Sequence, residues 1–157
     1  MHASRIMVRD VTTCGPEDTV AEVIAILNEH SFRILPVVDG DGRILGAVNT
    51  LTLLSHIVPE YIMEGYLQSV PFAPDIGLLR KHYRELLGKR ITDVMDENPT
   101  TVREDESLLS VTAAMIRHDR FEYVLVADEE RRLKGVISSS DILRALDRFI
   151  PEDECDA

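Results

Sequence analysis

Tryptophan is absent from the 157 residues, aromatic residues make up only 5% of them, and cysteine occurs twice. Cys14 and Cys155 are too few for a disulfide framework or a four-cysteine metal site, so we expect two free thiols in a reducing compartment. No apolar run approaches the ~20 residues that a membrane helix requires. The start of the chain, with Arg5, Arg9 and Asp10, lacks the pattern of a signal peptide. We therefore expect a soluble, cytoplasmic protein.

Positive charge is also scarce. The 17 lysine and arginine residues are outnumbered by 28 aspartate and glutamate residues, and the formal net charge is −11. Such a surface repels nucleic acid and anionic lipid, so neither is an expected partner. A small anion can still be bound where local donors converge.

Catalytic and metal-binding patterns are missing as well. The five histidines have no ligand spacing such as H-x-x-x-H, and we find no glycine-rich phosphate loop and no nucleophile–base pair. His30 and His118 take equivalent positions at helix ends, where an imidazolium favours the helix dipole, so a structural role is preferred for them. We predict neither a metal site nor an enzymatic activity.

The sequence does contain an internal duplication. Residues 6–27 align with residues 94–115 at an offset of 88. The offset becomes 89 once the second copy gains a residue near Asp119, and Gly46 then aligns with Gly135. Agreement of this length predicts two copies of one structural unit.

Each copy has the pattern of a strand, a helix, a β-hairpin and a second helix. Apolar residues at i, i+3, i+4 and i+7 within residues 20–27 predict the first helix, which Thr19 and Glu22 would open as a capping box. Two apolar runs, residues 33–38 and 43–48, are joined by Asp-Gly turn residues and predict the hairpin.

The predicted fold class is α/β (α+β), with two β-α-β-β-α units packed as a pseudo-twofold pair, because ~50 residues bury too little surface to be stable alone. We assign residues 4–57 and 90–149 to the two units, 58–89 to a linker and 150–157 to an acidic tail. Within the linker, an apolar helical face over residues 75–87 predicts a helix that covers exposed core.

The two units resemble a tandem pair of CBS domains, also called a Bateman module. The resemblance rests on LPVVDGDGRILGAV, residues 35–48, and on LKGVISSSDILRAL, residues 133–146; the second is similar to the γ subunit of AMP-activated kinase. It implies a stand-alone regulatory module that senses an adenosine-containing molecule in a cleft between its units. It also implies a homodimer that signals to a regulated partner protein.

The family motif G-h-h-[S/T]-x-x-D falls on the second copy. The resemblance implies that Asp141 accepts hydrogen bonds from both ribose hydroxyls and that Ser138 helps to hold ribose or phosphate. Both residues stand where a strand becomes a helix, so free backbone N–H groups also favour an anion. From the letters alone, Ser139, Ser140 or Asp141 before a helix favours an ordinary N-cap, and only the tandem-repeat context favours a ligand-binding role.

In the γ-subunit comparison the opposite copy completes the site. Thr12 would offer its hydroxyl and backbone to the base or phosphate, and Arg33 would be a charge-assisted donor to phosphate. A surface charge at a strand edge is an equally good interpretation of Arg33. The matching positions are Val11, Thr12, Arg33 and Ile34, and Thr13 is a secondary candidate.

The first copy departs from the motif, because Asn49 and Thr52 replace its serine and aspartate. A threonine lacks the charge to hold two ribose hydroxyls, so this second cleft is predicted to be weak or empty for nucleotides. Glu122 and Tyr123 replace a basic pair of the γ subunit, and a carboxylate disfavours a triphosphate.

Among AMP, ADP, ATP and S-adenosylmethionine, we therefore expect a ligand with few phosphates, such as AMP, or S-adenosylmethionine. The alternative is a dimeric protein-interaction scaffold without a nucleotide ligand. It would use the degenerate first motif, the acidic surface and the extra linker helix to dock a partner.

Overall fold

The computed structural model describes residues 1–30, 34–64, 76–118 and 122–149. Four features of the sequence lie outside these ranges: Arg33, the inserted residue near Asp119, Cys155 and the acidic tail. The described residues form two compact units. The first-repeat unit contains residues 13–39 and 45–97, and the second-repeat unit contains residues 1–12, 40–44 and 98 onwards.

The helices and strands follow the repeat predicted from the sequence. In chain order the first repeat and the linker contribute α1 (Val20–His30), β1 (Ile34–Val38), β2 (Ile44–Asn49), α2 (Thr50–Ser55), α3 (Glu60–Met63) and α4 (Ile76–Leu87). The second repeat contributes β3 (Thr101–Arg103), α5 (Leu108–Arg117), β4 (Tyr123–Ala127), β5 (Leu133–Ser138) and α6 (Ser139–Asp147). The mixed α/β class is therefore confirmed.

Each repeat builds one small sheet. In the second, β3 runs parallel to β4 and β4 runs antiparallel to β5, with Val102 opposite Val126 and Leu125 opposite Val136. In the first, β1 pairs with β2. The leading strand of this copy is reduced to a parallel bridge at Cys14, whose N–H donates to the carbonyl of Pro36 at 3.0 Å.

Apolar side chains separate onto one face of each element, as the periodicity predicts. Val20, Val23 and Leu27 of α1 are buried, and Val111 and Met115 are buried on α5. The capping box predicted for α1 is confirmed. The Thr19 N–H donates to Glu22 Oε2 at 2.8 Å, and the Glu22 N–H donates to Thr19 Oγ1 at 3.3 Å.

The linker helix is observed as α4, although Asp75, its predicted start, lies outside the described residues. Leu86 is 3% exposed and belongs to the core of the first-repeat unit. His82 Nδ1 lies 3.0 Å from the carbonyl oxygen of Ile57, which attaches the helix to the end of the repeat. None of the helices within the described ranges is both long and apolar enough to cross a bilayer.

The hairpin turn of the second repeat forms although it lacks the glycines found in the turn of the first repeat. Gly42 has φ 81°, and Arg131, at the equivalent position, has φ 62°. A side chain is disfavoured in this left-handed region. The turn is held by Asp128, whose Oδ1 accepts from the N–H groups of Glu130 at 3.0 Å and Arg132 at 2.8 Å. The hydrogen bond from Arg132 is the main reason that the pKa of Asp128 is lowered.

The segment that precedes each repeat packs in the unit of the other repeat. In the second-repeat unit, Val8 and Val136 exchange backbone hydrogen bonds of 2.9 and 3.0 Å. In the first-repeat unit, Ala47 and Asp96 do the same at 3.0 and 2.9 Å. The repeat offsets make these two pairs equivalent. The leading segments are therefore exchanged between the repeats.

This exchange explains why both copies need glycine in the second hairpin strand. A Cβ atom on Gly135 would lie 2.8 Å from the carbonyl oxygen of Val8 and 3.0 Å from Sδ of Met7. On Gly46 it would lie 2.6 Å from the carbonyl oxygen of Asp96. Atoms do not approach this closely without displacement, so only glycine allows the exchanged backbone to pair.

Substitution of Gly135 tests this constraint. We expect Gly135→Ala to lower the free energy of unfolding by about 1–3 kcal/mol, because the added methyl group overpacks the exchanged segment. Urea denaturation followed by circular dichroism measures the change.

Gly40→Ala is the matched control, because a Cβ atom there meets nothing within 4 Å. Equal stability of the two variants would show that the close approach imposes no constraint.

Candidate ligand-binding site

The predicted motif residues meet at the junction of β5 and α6. Ser138 ends the strand and caps the helix. Its N–H donates to Asp141 Oδ2 at 2.9 Å, and the Asp141 N–H donates back to Ser138 Oγ at 3.2 Å. The Ser138 hydroxyl also lies 2.7 Å from Asp141 Oδ2. The two residues therefore form a capping box in which Ser138 is the N-cap, one residue before the positions expected from the sequence.

This cap leaves part of the Asp141 carboxylate available. A carboxylate offers about four acceptor positions, and the cap uses only Oδ2. The other oxygen, Oδ1, lies 3.5 Å from Nη1 of Arg144. The side chain of Asp141 is 17% exposed, so the negative charge is mostly but not fully shielded from water. Capping and ligand binding are thus compatible roles for the same residue.

Asp141 borders a small pocket inside the second-repeat unit. The pocket has a volume of about 150 Å³. One wall is a face of α6, with residues at i, i+3, i+4 and i+7 from Asp141, and the other is the start of the chain. The lining residues are Arg5, Ile6, Asp141, Arg144, Ala145 and Arg148.

The other predicted site residues are distributed over both units. Val11 and Thr12 share the second-repeat unit with Asp141, Val11 half-buried and Thr12 exposed. Among the described residues, neither is hydrogen-bonded to Ser138 or Asp141. Thr13 and Ile34 belong to the first-repeat unit, and Arg33 lies outside the described residues.

The equivalent junction in the first repeat has the same geometry and different chemistry. Asn49 caps α2, and its Oδ1 accepts from the Thr52 N–H at 2.7 Å and from the Thr52 hydroxyl at 2.9 Å. Asn49 is buried, and the hydroxyl proton of Thr52 is engaged in the cap. Within residues 49–52, all of which the structure describes, no side chain is a carboxylate that a pair of ribose hydroxyls can approach.

Sequence reasoning missed the arginines of the pocket. Arg144 and Arg148 follow Asp141 at i+3 and i+7, a spacing that places them on one helix face. This signal was available in the sequence. Arg5 could not have been predicted to join them, because only the exchange of the leading segments brings it to α6.

The structure places Glu122 and Tyr123 beside the motif. Tyr123 lies opposite Ser138 in the sheet register. The carbonyl of Glu122 accepts from the Ser139 N–H at 2.9 Å, and the residue is exposed. The described ranges contain no group of three or more histidine, cysteine, aspartate or glutamate side chains that could hold a metal ion.

Cys14 is a buried structural thiol. It is 4% exposed, and its Sγ lies 3.8 Å from the carbonyl oxygen of Pro36. Burial, reinforced by the charge of Asp18, raises the pKa of the thiol from 9.0 to about 12. Because the thiolate is the reactive form, Cys14 is not a nucleophile at neutral pH.

This burial predicts how stability changes in alkaline solution. Between pH 9 and 12 the thiol ionises in the unfolded chain but not in the folded one, so its stabilising contribution is lost as the pH rises. Urea denaturation of Cys155→Ser should show a steeper loss of stability over this range than the double variant Cys14→Val/Cys155→Ser. Identical pH profiles would contradict the assignment.

The family of the chain follows from comparison with known proteins. The CBS domain family model matches residues 3–59 and 91–148, which together are more than half of the sequence. The chain therefore belongs to the CBS domain family, as a tandem pair. The resemblance inferred from the hairpin and motif residues is confirmed.

Among curated relatives, inosine-5′-monophosphate dehydrogenase of Methanocaldococcus jannaschii is 28% identical over 145 residues. The matched region is 90% of this chain but only 23% of that enzyme. The protein CBSX2 of Arabidopsis thaliana, described as chloroplastic, is 26% identical over 137 residues, which are 83% of this chain and 56% of the relative. The chain thus spans only part of these proteins.

Solved structures show the same fold. Protein MJ1225 of Methanocaldococcus jannaschii, proposed to be an archaeal homologue of the AMP-activated kinase γ subunit, has a TM-score of 0.72 and 23% identity, covering 92% of this chain and 47% of that one. CBSX2 in complex with AMP has a TM-score of 0.70 and 21% identity, with 94% and 96% covered.

A third structure contains two other adenosine compounds. The CBS domain pair of protein MJ0100, in complex with 5′-methylthioadenosine and S-adenosyl-L-methionine, has a TM-score of 0.67 and 22% identity. The match covers 94% of this chain and 97% of that one. At these identities the likeness establishes the fold.

Proposed function

We propose that the chain is a regulatory module that binds an adenosine-containing molecule and uses the Asp141 carboxylate to hold the ribose. The observation that carries the proposal is that Asp141 has two roles in the structure. Its Oδ2 is fixed by the cap, and the residue also lines a pocket. A ribose presents two neighbouring hydroxyl donors, and an ionised carboxylate is the acceptor best suited to both.

The fold neighbours support this ligand class. Two of them were solved with AMP, or with 5′-methylthioadenosine and S-adenosylmethionine, which all carry an adenosine moiety. The candidate ligands for this chain are still AMP, ADP, ATP and S-adenosylmethionine. Ser138 would help to hold ribose or phosphate. The other proposed contacts are Val11, Thr12, Thr13, Arg33 and Ile34.

We also propose that the module acts by regulating another protein and that it does so in the cytoplasm. Ligand binding would change how the module engages its partner, without catalysis by the chain itself. The dehydrogenase relatives fit a regulatory role, because the matched part is about a quarter of their length. Their catalytic activity is not proposed for this chain.

Removal of the Asp141 charge tests the ribose contact. Asp141→Asn keeps an oxygen that can accept the Ser138 N–H, so the cap survives while the charge is lost. We expect affinity for AMP and for S-adenosylmethionine, measured by isothermal titration calorimetry, to fall by at least about tenfold, since hydrogen bonds to charged groups contribute about 1.5–3 kcal/mol.

Thr52→Val is the matched control at the equivalent position of the first repeat, and it should bind as the wild type does. Unchanged affinity in Asp141→Asn, with circular dichroism showing a folded protein, would exclude the proposed ribose contact. Loss of binding in Thr52→Val would instead indicate a site at the first junction.

A homodimer is the second part of the proposal. The two helices of the second repeat contact each other and expose large apolar side chains. Monomeric proteins rarely leave such residues clustered in water. A scaffold that dimerises and docks a partner without any nucleotide is the alternative function that this surface favours. The exposed residues are Leu109, Ile116, Leu143, Leu146 and Phe149.

Light scattering tests the dimer. We expect the wild type to have twice the mass of the chain and Leu143→Glu to shift it toward the monomer, because the charge would be buried in the interface. Met63→Glu, which changes an exposed residue of α3, should stay dimeric. A monomeric wild type at all concentrations would contradict the proposal.

A further inference from the structure

The linker helix α4 forms one wall of an apolar groove in the first-repeat unit. It packs against α1, whereas the equivalent helix of the second repeat, α5, packs against α6. The groove between α1, α2 and α4 has a volume of about 220 Å³. Apart from Asn28 and Thr50, the side chains that line it are apolar or aromatic. They include Leu27, Leu53, Leu54, Tyr83 and Leu86.

The apolar surface of α4 extends beyond the groove. Ile76 and Leu79 precede Tyr83 by two turns and one turn of the helix, so the three residues form a stripe about 10 Å long. Their exposed fractions are 67%, 39% and 40%. An apolar cavity of about 150 Å³ is enough for a molecule the size of benzene. The groove and the stripe together therefore suit an elongated partner with several apolar side chains.

Positive charge borders this stripe. Arg80 lies three residues before Tyr83, and Arg84 lies four residues after Arg80, so both are neighbours of the stripe on the helix surface. Neither guanidinium makes a hydrogen bond or ion pair with any of the described residues. Like charges at this spacing destabilise a helix, so helix stability does not explain the pair. Because α1 and α2 contain no lysine or arginine, the α4 wall is the basic one.

The walls of the groove are held together by contacts within the first-repeat unit. The Val20 N–H, at the start of α1, donates to the carbonyl of Lys89 just after α4 at 2.9 Å. His82 Nδ1 lies 3.0 Å from the carbonyl oxygen of Ile57, just after α2. Leu86 anchors α4 in the core of the same unit. The groove therefore exists before a partner arrives, which reduces the entropy lost on binding.

We propose that this groove docks an acidic amphipathic helix of another protein. Its apolar residues would fill the groove, and its carboxylates would pair with Arg80 and Arg84. An amphipathic helix laid into an apolar groove is a common mode of recognition. A surface of anionic lipid is less suited to the site, because the chain has a net charge of −11. The inference rests on the proposed regulatory function and names the surface that the regulated protein contacts.

Fluorescence anisotropy with two labelled peptides tests the inference on the intact chain. Both peptides are about as long as α4 and have leucine at i, i+3, i+4 and i+7, and the other positions are glutamate in one and lysine in the other. We expect the glutamate peptide to bind at least about tenfold more tightly, with a preference that shrinks as salt rises. Non-specific attraction to an acidic chain predicts the opposite order.

Two pairs of variants locate the binding. Leu54→Glu should weaken binding of the glutamate peptide at least about tenfold, because it places a charge in the apolar groove. Leu51→Glu, at another exposed leucine of α2 that does not line the groove, should have no effect. Arg80→Gln/Arg84→Gln should weaken binding about threefold to tenfold. Lys81→Gln, on the other side of α4, should not. All five residues are exposed, so melting temperatures should be unchanged.

Several results would overturn the inference. Equal affinity for the two peptides, or equal effects of Leu54→Glu and Leu51→Glu, would exclude the groove as the docking site. Sedimentation of the chain with vesicles of phosphatidylcholine and phosphatidylserine, lost in Arg80→Gln/Arg84→Gln, would assign the stripe to a lipid surface. A dimer that Leu54→Glu dissociates in light scattering would assign the groove to a second copy of the chain.

Titration of the same proteins with AMP separates this inference from the proposed ligand sensor. The groove variants should bind AMP as the wild type does. Binding of AMP without binding of the glutamate peptide would reject the docking groove and retain the sensor. Binding of the glutamate peptide without binding of AMP or S-adenosylmethionine would support the groove and leave the chain as a scaffold.

Discussion

The exchange of leading segments between the two repeats is the interaction on which the other features depend. Each segment adds its backbone to the second hairpin strand of the other copy through a pair of hydrogen bonds, Val8 with Val136 and Asp96 with Ala47. It also adds buried side chains, such as Met7 and Ile91, to the core of that unit. The exchange is possible because glycine leaves room for the approaching carbonyl. Arg5 reaches α6 for the same reason.

The two junctions between hairpin and helix have the same backbone geometry but different side-chain chemistry. In both repeats a side chain at the end of the strand caps the following helix, which satisfies N–H groups that have no partner within the helix. Ser138 does this with Asp141, and Asn49 does it with Thr52. The cap alone does not require a carboxylate. The fold therefore requires neither the charge of Asp141 nor the arginines that line the same pocket.

Most of the fold could be predicted from the sequence, whereas the composition of the site could be predicted only in part. Periodicity identified α1 and α4, and the duplication identified the two sheets, because these signals are local or repeat along the chain. The Ser138–Asp141 pair was found from its motif. Arg5 was missed because its position depends on an exchange between segments about 100 residues apart, which periodicity does not report. The sequence pattern also did not predict that the leading strand of the first repeat is reduced to a single-residue bridge at Cys14.

The exchanged segments have a consequence for the origin of the chain. A single repeat carries a leading segment that its own hairpin does not use, and its hairpin lacks the segment that it needs. An ancestor with only one repeat would have had to associate as two identical chains, each lending its first residues to the other. In such a symmetric pair both junctions are the same, so serine, aspartate and arginine would be present twice or not at all. Two repeats joined in one chain are free of that restriction, so one junction can carry a charge while the other does not.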